Sequence, residues 1–347
     1  MPVPIRYSPL LQLSLAKVRG ILREPEAIFW VVVFPVLLSI ALGIAFRASG
    51  PAVLPVAVQQ GAGAEALVRT LTASEALSVE LLEEELAREA LRTGRVAVVV
   101  IPGESWTFWY DPTRPESREA RLVSDATLQR AAGRVDAHAT DVRKMTEKGS
   151  RYIDFLIPGL IGMNLMGTGM WSIGFSIVNS RQRRILKRFV ATPMRRWQYL
   201  LAQFVGRLVF LVIEVGVLLG AATLLFGVPI RGTWVLLGAV CGLGAFTFSA
   251  TGLLVASRPR TVEGVSGLMN LVMMPMWILS GTFFSTERFP ELMQPIVQAL
   301  PLTALNDALR EVMIEGAAAV QILDEIAIVG AWGILAFLTA LVLFRWQ

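Results

Sequence analysis

Two ionisable residues stand where ionisable residues are costly. Arg207 and Glu214 are the only charges in six apolar windows, residues 28–46, 155–178, 200–226, 232–256, 264–283 and 326–344. A charge at such a depth faces protein or water and is a functional candidate by default. Seven residues apart, the two fall near one face of a helix. Arg207 lies close enough to the start of its window to snorkel toward an interface. Glu214, near the middle, reads either as a structural hydrogen-bonding group or as part of a substrate path. Asn164 and Asn270 are polar residues in two other windows, where hydrogen bonding between helices is the simplest role. Other chemistry is poorly supplied. One cysteine, Cys241, excludes an intramolecular disulfide and a cysteine-built metal site, and one histidine, His138, leaves little for an imidazole metal site or a triad. Gly264-Val265-Ser266-Gly267 has the look of a nucleophile string, but it lacks a base and is discounted. The expectation is no catalytic residue and no metal.

The windows are what must position these residues. The chain has 347 residues, 54% hydrophobic and 17% charged, with a mean hydropathy of +0.58. Each window is 19 to 27 residues long, and a helix needs roughly 20 apolar residues to cross a bilayer. A water-soluble globule and an outer-membrane barrel are both excluded by such continuous runs. The fold class expected is an α-helical integral membrane protein: six transmembrane helices with an inserted small α/β extracytoplasmic domain. Gly216 with Gly220, and Gly238 with Gly242, have the small-xxx-small spacing that lets helices approach closely.

Charge orients the chain. With the N-terminus inside, residues 1–27, 179–199, 257–263 and 345–347 sum to +11 and the opposite segments to −6. This obeys the positive-inside rule with both termini cytoplasmic, so a multi-pass protein of the cell inner (cytoplasmic) membrane is expected. The basic residues sit in short loops that meet anionic lipid, which makes nucleic acid a weak reading. Residues 1–27 mix leucines with Lys17, Arg19 and Arg23 as a cytoplasmic amphipathic segment does, and the polar start distinguishes the first window from a cleavable signal peptide.

Between the first two windows, residues 47–154 have ordinary composition and read as the α/β domain. Val53 to Val58, Val96 to Ile101 and Trp106 to Tyr110 have strand character, Ala64 to Leu71 and Leu81 to Thr93 helical spacing, and 115–148 reads as one long polar helix. Segment 284–325 is too apolar for a free loop, while Pro290, Pro295 and Pro301 interrupt any span, so short helices dipping into the outer leaflet are expected. Loop 179–199 carries seven basic residues and no acid; Ile185, Leu186, Phe189 and Val190 recur at helical spacing before Pro193.

Several stretches resemble the ABC-2 type exporter permeases, in particular the subgroup with a large extracytoplasmic domain after the first transmembrane helix. They are the basic cluster followed by Ala191-Thr192-Pro193-Met194-Arg195-Arg196 and Tyr199; Ser280-Gly281-Thr282-Phe283-Phe284 with Phe289-Pro290, Pro295, Leu300-Pro301-Leu302-Thr303 and Ala308-Leu309-Arg310; Asp154-Phe155-Leu156-Ile157-Pro158-Gly159; and the stretch from Leu54-Pro55-Val56-Ala57-Val58 to Ile101-Pro102. Together they cover most of the chain in family order. The resemblance implies a six-helix permease subunit of an ATP-driven exporter, paired with a second permease copy and a cytoplasmic ATPase dimer.

By that resemblance Arg181, Arg183, Arg184, Ile185, Lys187, Arg188 and Phe189 belong to a coupling helix facing the ATPase, and Phe283, Phe284, Pro290 and Pro301 to re-entrant helices closing an outer gate. No G-x-x-x-x-G-K-[ST] occurs, and none of the four lysines follows a glycine, so ATP and Mg are expected on the partner chain and no cofactor on this one. The cargo implied is amphipathic, drug-like or lipid-like, moved by alternating access. The alternative reading is a membrane-anchored sensor whose outer domain binds a ligand.

Overall fold

The computed structural model describes residues 29, 33–45, 53–135, 138, 149–184 and 196–344. In chain order these form α1 (Phe34–Ala45), β1 (Leu54–Gln59), α2 (Ala64–Thr72), β2 (Leu77–Leu82), α3 (Glu84–Thr93), β3 (Val98–Ile101), β4 (Thr107–Tyr110) and α4 (Pro115–Ala131). There follow α5 (Tyr152–Gln182), α6 (Arg196–Phe226), α7 (Trp234–Val255), α8 (Val262–Leu279), α9 (Gln294–Gln298), α10 (Pro301–Arg310) and α11 (Leu323–Leu343). The chain divides into two compact units, residues 1–47 with 145–347, and residues 48–144.

In the helical unit, five helices among the described residues are long and apolar enough to cross a membrane: α5, α6 over Gly206–Phe226, α7, α8 and α11; α1 is a shorter apolar helix. α5 and α7 make the centre. Phe248 and Leu253 of α7 pack with Leu160, Leu165 and Met170 of α5 in one continuous core. α8 and α11 bury far less and present Leu271, Ile278, Leu335 and Val342 outward, as lipid-facing helices do. The glycines that allow close approach are not the pairs picked out by spacing. Gly216, Gly220, Gly238 and Gly242 have no heavy atom within 4 Å of where a Cβ would stand, whereas a Cβ on Gly252 of α7 would come within 2.7 Å of the Met170 backbone of α5. Spacing alone does not say which face meets a neighbour.

Prolines cut the segment after α8 into pieces. Two 3-10 turns, Thr286–Arg288 and Glu291–Met293, precede α9 and α10. Pro295 and Pro301 lie in the first turns of α9 and α10, where a missing N–H costs nothing. α10 continues into a π turn, Glu311–Glu315, closed by Gly316 at φ 76.

The unit of residues 48–144 is a four-stranded sheet in the order β2-β1-β3-β4, with β1 parallel to β2 and β3, and β4 antiparallel. Val56 and Val58 of β1 face α2 and α4, and Ala57 faces α3, so helices cover both sides. Two elements differ from the sequence reading. Leu77–Leu82 is a strand, and the helix begins only at Glu84; Leu81 and Leu82 fit the helical spacing that runs to Thr93, but pairing along β1 claims them. The helix from Pro115 stops at Ala131 rather than running to 148. There Gly133 takes φ 97, its N–H donates to Arg130 O, and Arg134 N–H donates to Gln129 O, the bond pattern of a Schellman end.

Candidate functional site within the helical unit

The charged pair forms the polar centre. Arg207 is 3% exposed and Glu214 1% exposed, both on α6. An i, i+7 separation spans about 10.5 Å along a helix, which the long arginine side chain bridges. Arg207 Nη1 donates to Glu214 Oε2 at 2.7 Å, and Nη2 donates to Thr168 Oγ1 of α5 at 2.6 Å. The guanidinium therefore does not snorkel. It turns inward because Glu214 offers a full opposite charge at hydrogen-bond range, which a desolvated cation requires.

Thr168 completes the set. Its hydroxyl lies 3.0 and 3.2 Å from the two Glu214 oxygens and 2.7 Å from Asn164 O one turn earlier. With one proton to donate, it serves either the carboxylate or its own helix at a given moment while accepting from Arg207. Arg207 Nε is buried with no partner among the described residues. The arrangement ties α5 to α6 by charge-assisted bonds. Thr168 was missed in the sequence, where one hydroxyl between Gly167 and Gly169 carries little signal. Asn164 is buried and enters through its carbonyl; Asn270 is exposed on α8 and is not part of this cluster.

A second polar seat holds α10. Asn306, fully buried, donates from Nδ2 to Ser280 O at 3.0 Å and Thr282 Oγ1 at 3.2 Å. A Cβ on Gly162 of α5 would collide with Asn306 Oδ1, and one on Gly159 would lie 2.7 Å from Thr282 O, so both glycines are required for this fit. Arg310 donates to Asp307 Oδ1 at 2.9 Å and to Gly281 O, and its guanidinium sits 3.9 Å from the Phe155 ring centroid. Tyr152 Oη donates to Phe283 O at 2.9 Å, and the Phe284 and Phe289 rings are 5.7 Å apart. Pro301 is buried and Pro290 exposed. Of the sequence-selected gate residues, Phe283 thus joins the junction of α5, α8 and α10, Phe284 packs on the Phe289 ring, Pro301 starts α10 and Pro290 precedes a turn.

Beside this seat, Arg151 and the buried Asp154 form a clamp. Arg151 Nη2 and Nε donate to the carboxylate at 2.8 and 2.9 Å, and Nη1 donates to Phe226 O at 3.0 Å, capping the end of α6.

At the opposite helix ends, Arg181 donates to Ala256 O, Ser257 O and Pro259 O, closing the C-terminus of α7, and lies over the Phe344 ring. Arg183 and Arg184 are exposed, and Arg184 takes φ 55. Ile185, Lys187, Arg188 and Phe189 lie outside the described residues, as do residues 1–27. Among the described residues no group of three or more His, Cys, Asp or Glu is placed to hold a metal ion. His138 is exposed and Cys241 buried.

Comparison with known proteins points to a transporter family. A family model described as "ABC-2 family transporter protein" matches residues 25–342. The chain is 28% identical over 167 residues to "ABC transporter G family member 20" of Dictyostelium discoideum, covering 48% of this chain and 23% of that protein. It is 26% identical over 201 residues to "Inner membrane transport permease YadH" of Escherichia coli strain K12, covering 57% of this chain and 75% of that protein. The aligned region is thus under a quarter of the Dictyostelium relative and three quarters of YadH.

Proposed function

The chain belongs to the ABC-2 family of transporter proteins and is a multi-pass membrane protein, and from that premise we propose that it is the permease subunit of an ATP-driven exporter. The observation that carries this reading is the family match, which spans nearly the whole chain. The absence of a P-loop motif from the sequence supports a division of labour in which a separate cytoplasmic ATPase dimer binds ATP and Mg. Two permease copies would then supply the pathway, alternating between inward and outward openings. In this arrangement the chain crosses the membrane six times, with 28–46 as the first span, both termini cytoplasmic, and residues 47–154 and 284–325 on the outer side, as the charge split of +11 against −6 supports.

The cargo class proposed is an amphipathic, drug-like or lipid-like molecule. A largely apolar interior with a few compact polar clusters suits a substrate that is mostly apolar and carries few polar groups. Thr168, Arg207 and Glu214 would face that path when α5 and α6 part. The exposed Arg183 and Arg184, continuing into 185–189, would dock on the ATPase, whose acidic surface they complement; Arg181, occupied at the end of α7, would hold the base of that element. Phe283 and Phe284 would close the outer end.

Co-expression with an ABC ATPase encoded beside it tests the partner assignment. Reversing Arg184 and Arg188 to glutamate is expected to abolish co-purification and substrate-stimulated ATP turnover. Unchanged co-purification and turnover would refute the coupling role.

A further inference from the structure

A groove runs along α11 on the surface of the helical unit. α7 and α11 lie side by side in the same direction: Thr247 Oγ1 of α7 donates to Val329 O of α11 at 2.9 Å, and Arg181 meets both Ala256, just after α7, and Phe344, just after α11. At the first of these levels the helices touch closely, since a Cβ on Gly333 would lie 2.6 Å from Thr247 Oγ1. Beyond it the facing side chains are small. Thr251 and Ala336, both buried, form the floor of a gap that stays open on the side away from the core.

Ile328, Ala331, Leu335 and Thr339 recur every three or four residues and so line one stripe of α11. From Ile328 to Thr339 that stripe is about 16.5 Å long at 1.5 Å per residue. Leu254 bounds it on the α7 side, and the end of α9 supplies a further wall through Gln298 and Ala299. Trp332 joins α11 to α9, its Nε1 donating to Ala299 O at 2.8 Å, which holds an exposed indole in place as part of the wall. The volume is about 600 Å³, inside the range of about 300–1,000 Å³ for preformed small-molecule sites.

The lining selects for hydrocarbon. None of the described residues lining the groove is charged. Thr251 Oγ1 donates to Thr247 O of its own helix, and the Trp332 N–H is committed to α9. Thr339, at the far end, brings a hydroxyl of the kind that a helix returns to its own carbonyls. The end beside Gln298 is different, because an amide there can both donate and accept. Ile328, at that end, is five residues from the start of α11, about 7.5 Å along the axis, so the polar end lies near a membrane surface.

α7 and α11 are both long and apolar enough to span the bilayer, so the groove is filled by lipid or by another helix. A helix with its side chains is about 10–12 Å across and would occupy roughly 1,300–1,900 Å³ over the same length, two to three times the space present. A single hydrocarbon chain is narrow, needs no hydrogen bonds along its length and carries its polar group at one end, which matches the polarity of the groove.

We propose that this groove is a specific site for one acyl chain of a membrane phospholipid, the chain lying against Ala331, Leu335 and Ala336 and the ester and headgroup at the Gln298 end. The inference rests on the membrane-spanning character of α7 and α11 and goes beyond the transport reading.

The test reconstitutes the full-length protein in lipid nanodiscs with increasing fractions of a phosphatidylcholine that carries a diazirine midway along one acyl chain, and maps the labelled residues by mass spectrometry. Adducts on Leu254, Leu335 and Thr339 are expected to saturate as the probe fraction rises, while those on the exposed Val342 rise in proportion to it. Ala331→Trp fills the groove and should lower the groove adducts roughly tenfold, the equivalent of about 1.4 kcal/mol. Ile334→Trp places the same bulk on an exposed part of α11 outside the groove and should leave them unchanged. Constant labelling of Val342 reports intact protein, and saturation in the unsubstituted chain decides the matter even if Ala331→Trp misfolds.

Groove adducts that only track the probe fraction, or that respond equally to the two tryptophan variants, overturn the site. In a Cys241→Ser background, Leu335→Cys should not crosslink copy to copy on oxidation; a crosslink would give the groove to a second copy of the chain and overturn the lipid assignment. A groove that labels as expected in a chain that never stimulates a partner ATPase would count against the transport reading alone.

Discussion

At the residue scale, the Arg207–Glu214 pair illustrates why a buried ion pair is fragile in one direction and replaceable in another. Both members are desolvated, and each satisfies the other at 2.7 Å with Thr168 as the third contact. Removing one leaves an uncompensated charge, at a cost of about 3–5 kcal/mol, whereas replacing both with apolar groups of similar volume is often nearly neutral. Glu214→Ala should therefore lower the thermal stability of the purified protein sharply, and Arg207→Met with Glu214→Met should restore most of it. Equal loss in the single and double variants would mean that the pair does not act as a unit. Glu214→Gln keeps the shape of the side chain; if it leaves both transport and ATPase stimulation unaltered, the cluster is a staple between α5 and α6 and no part of the path.

At the element scale, the α10 segment is held by polar seats at one edge and strained by charge at the other. Asn306 and Arg310 fasten it to α5 and to the end of α8. Just beyond, burial and then the carboxylates of Glu325, Glu315 and Asp307 hold Glu311 above the usual carboxylate range. A carboxyl raised by folding contributes stability that is present below its unfolded value and lost as pH rises through the raised value. Acidification from neutral pH should therefore tighten the π turn and make it more resistant to proteolysis. Glu311→Gln should be resistant already at neutral pH and respond less. An undiminished pH response in the glutamine variant would assign the effect to other groups.

The same scale shows where pattern reading works. Proline positions placed the breaks in 284–325 correctly, because a missing N–H and a fixed φ act on the residue itself. β2 escaped notice because a short strand with one polar side resembles a helical turn until its partner is known.

At the scale of the whole molecule, orientation is the property most directly open to measurement. In a Cys241→Ser background, a cysteine at exposed Glu119 should react with a membrane-impermeant maleimide in intact cells. A cysteine at Lys187 should react only after permeabilisation. The reverse pattern would invert the proposed topology. What the amino-acid sequence determined by itself is what depends on local composition: apolar runs long enough to span, the family to which they belong, and the stretch of ordinary composition between the first two runs. What only the tertiary structure decided depends on which faces meet. Arg207 could have reached an interface until Glu214 and Thr168 were found beside it, and Arg181 could have been a free loop charge until the carbonyls at the end of α7 were found around it. Glycine spacing suggested Gly216 and Gly238, yet close approach falls at Gly159, Gly162 and Gly252. Hydropathy reports how much a residue gains by leaving water, whereas pairing and close packing require knowing which neighbour it leaves water to join.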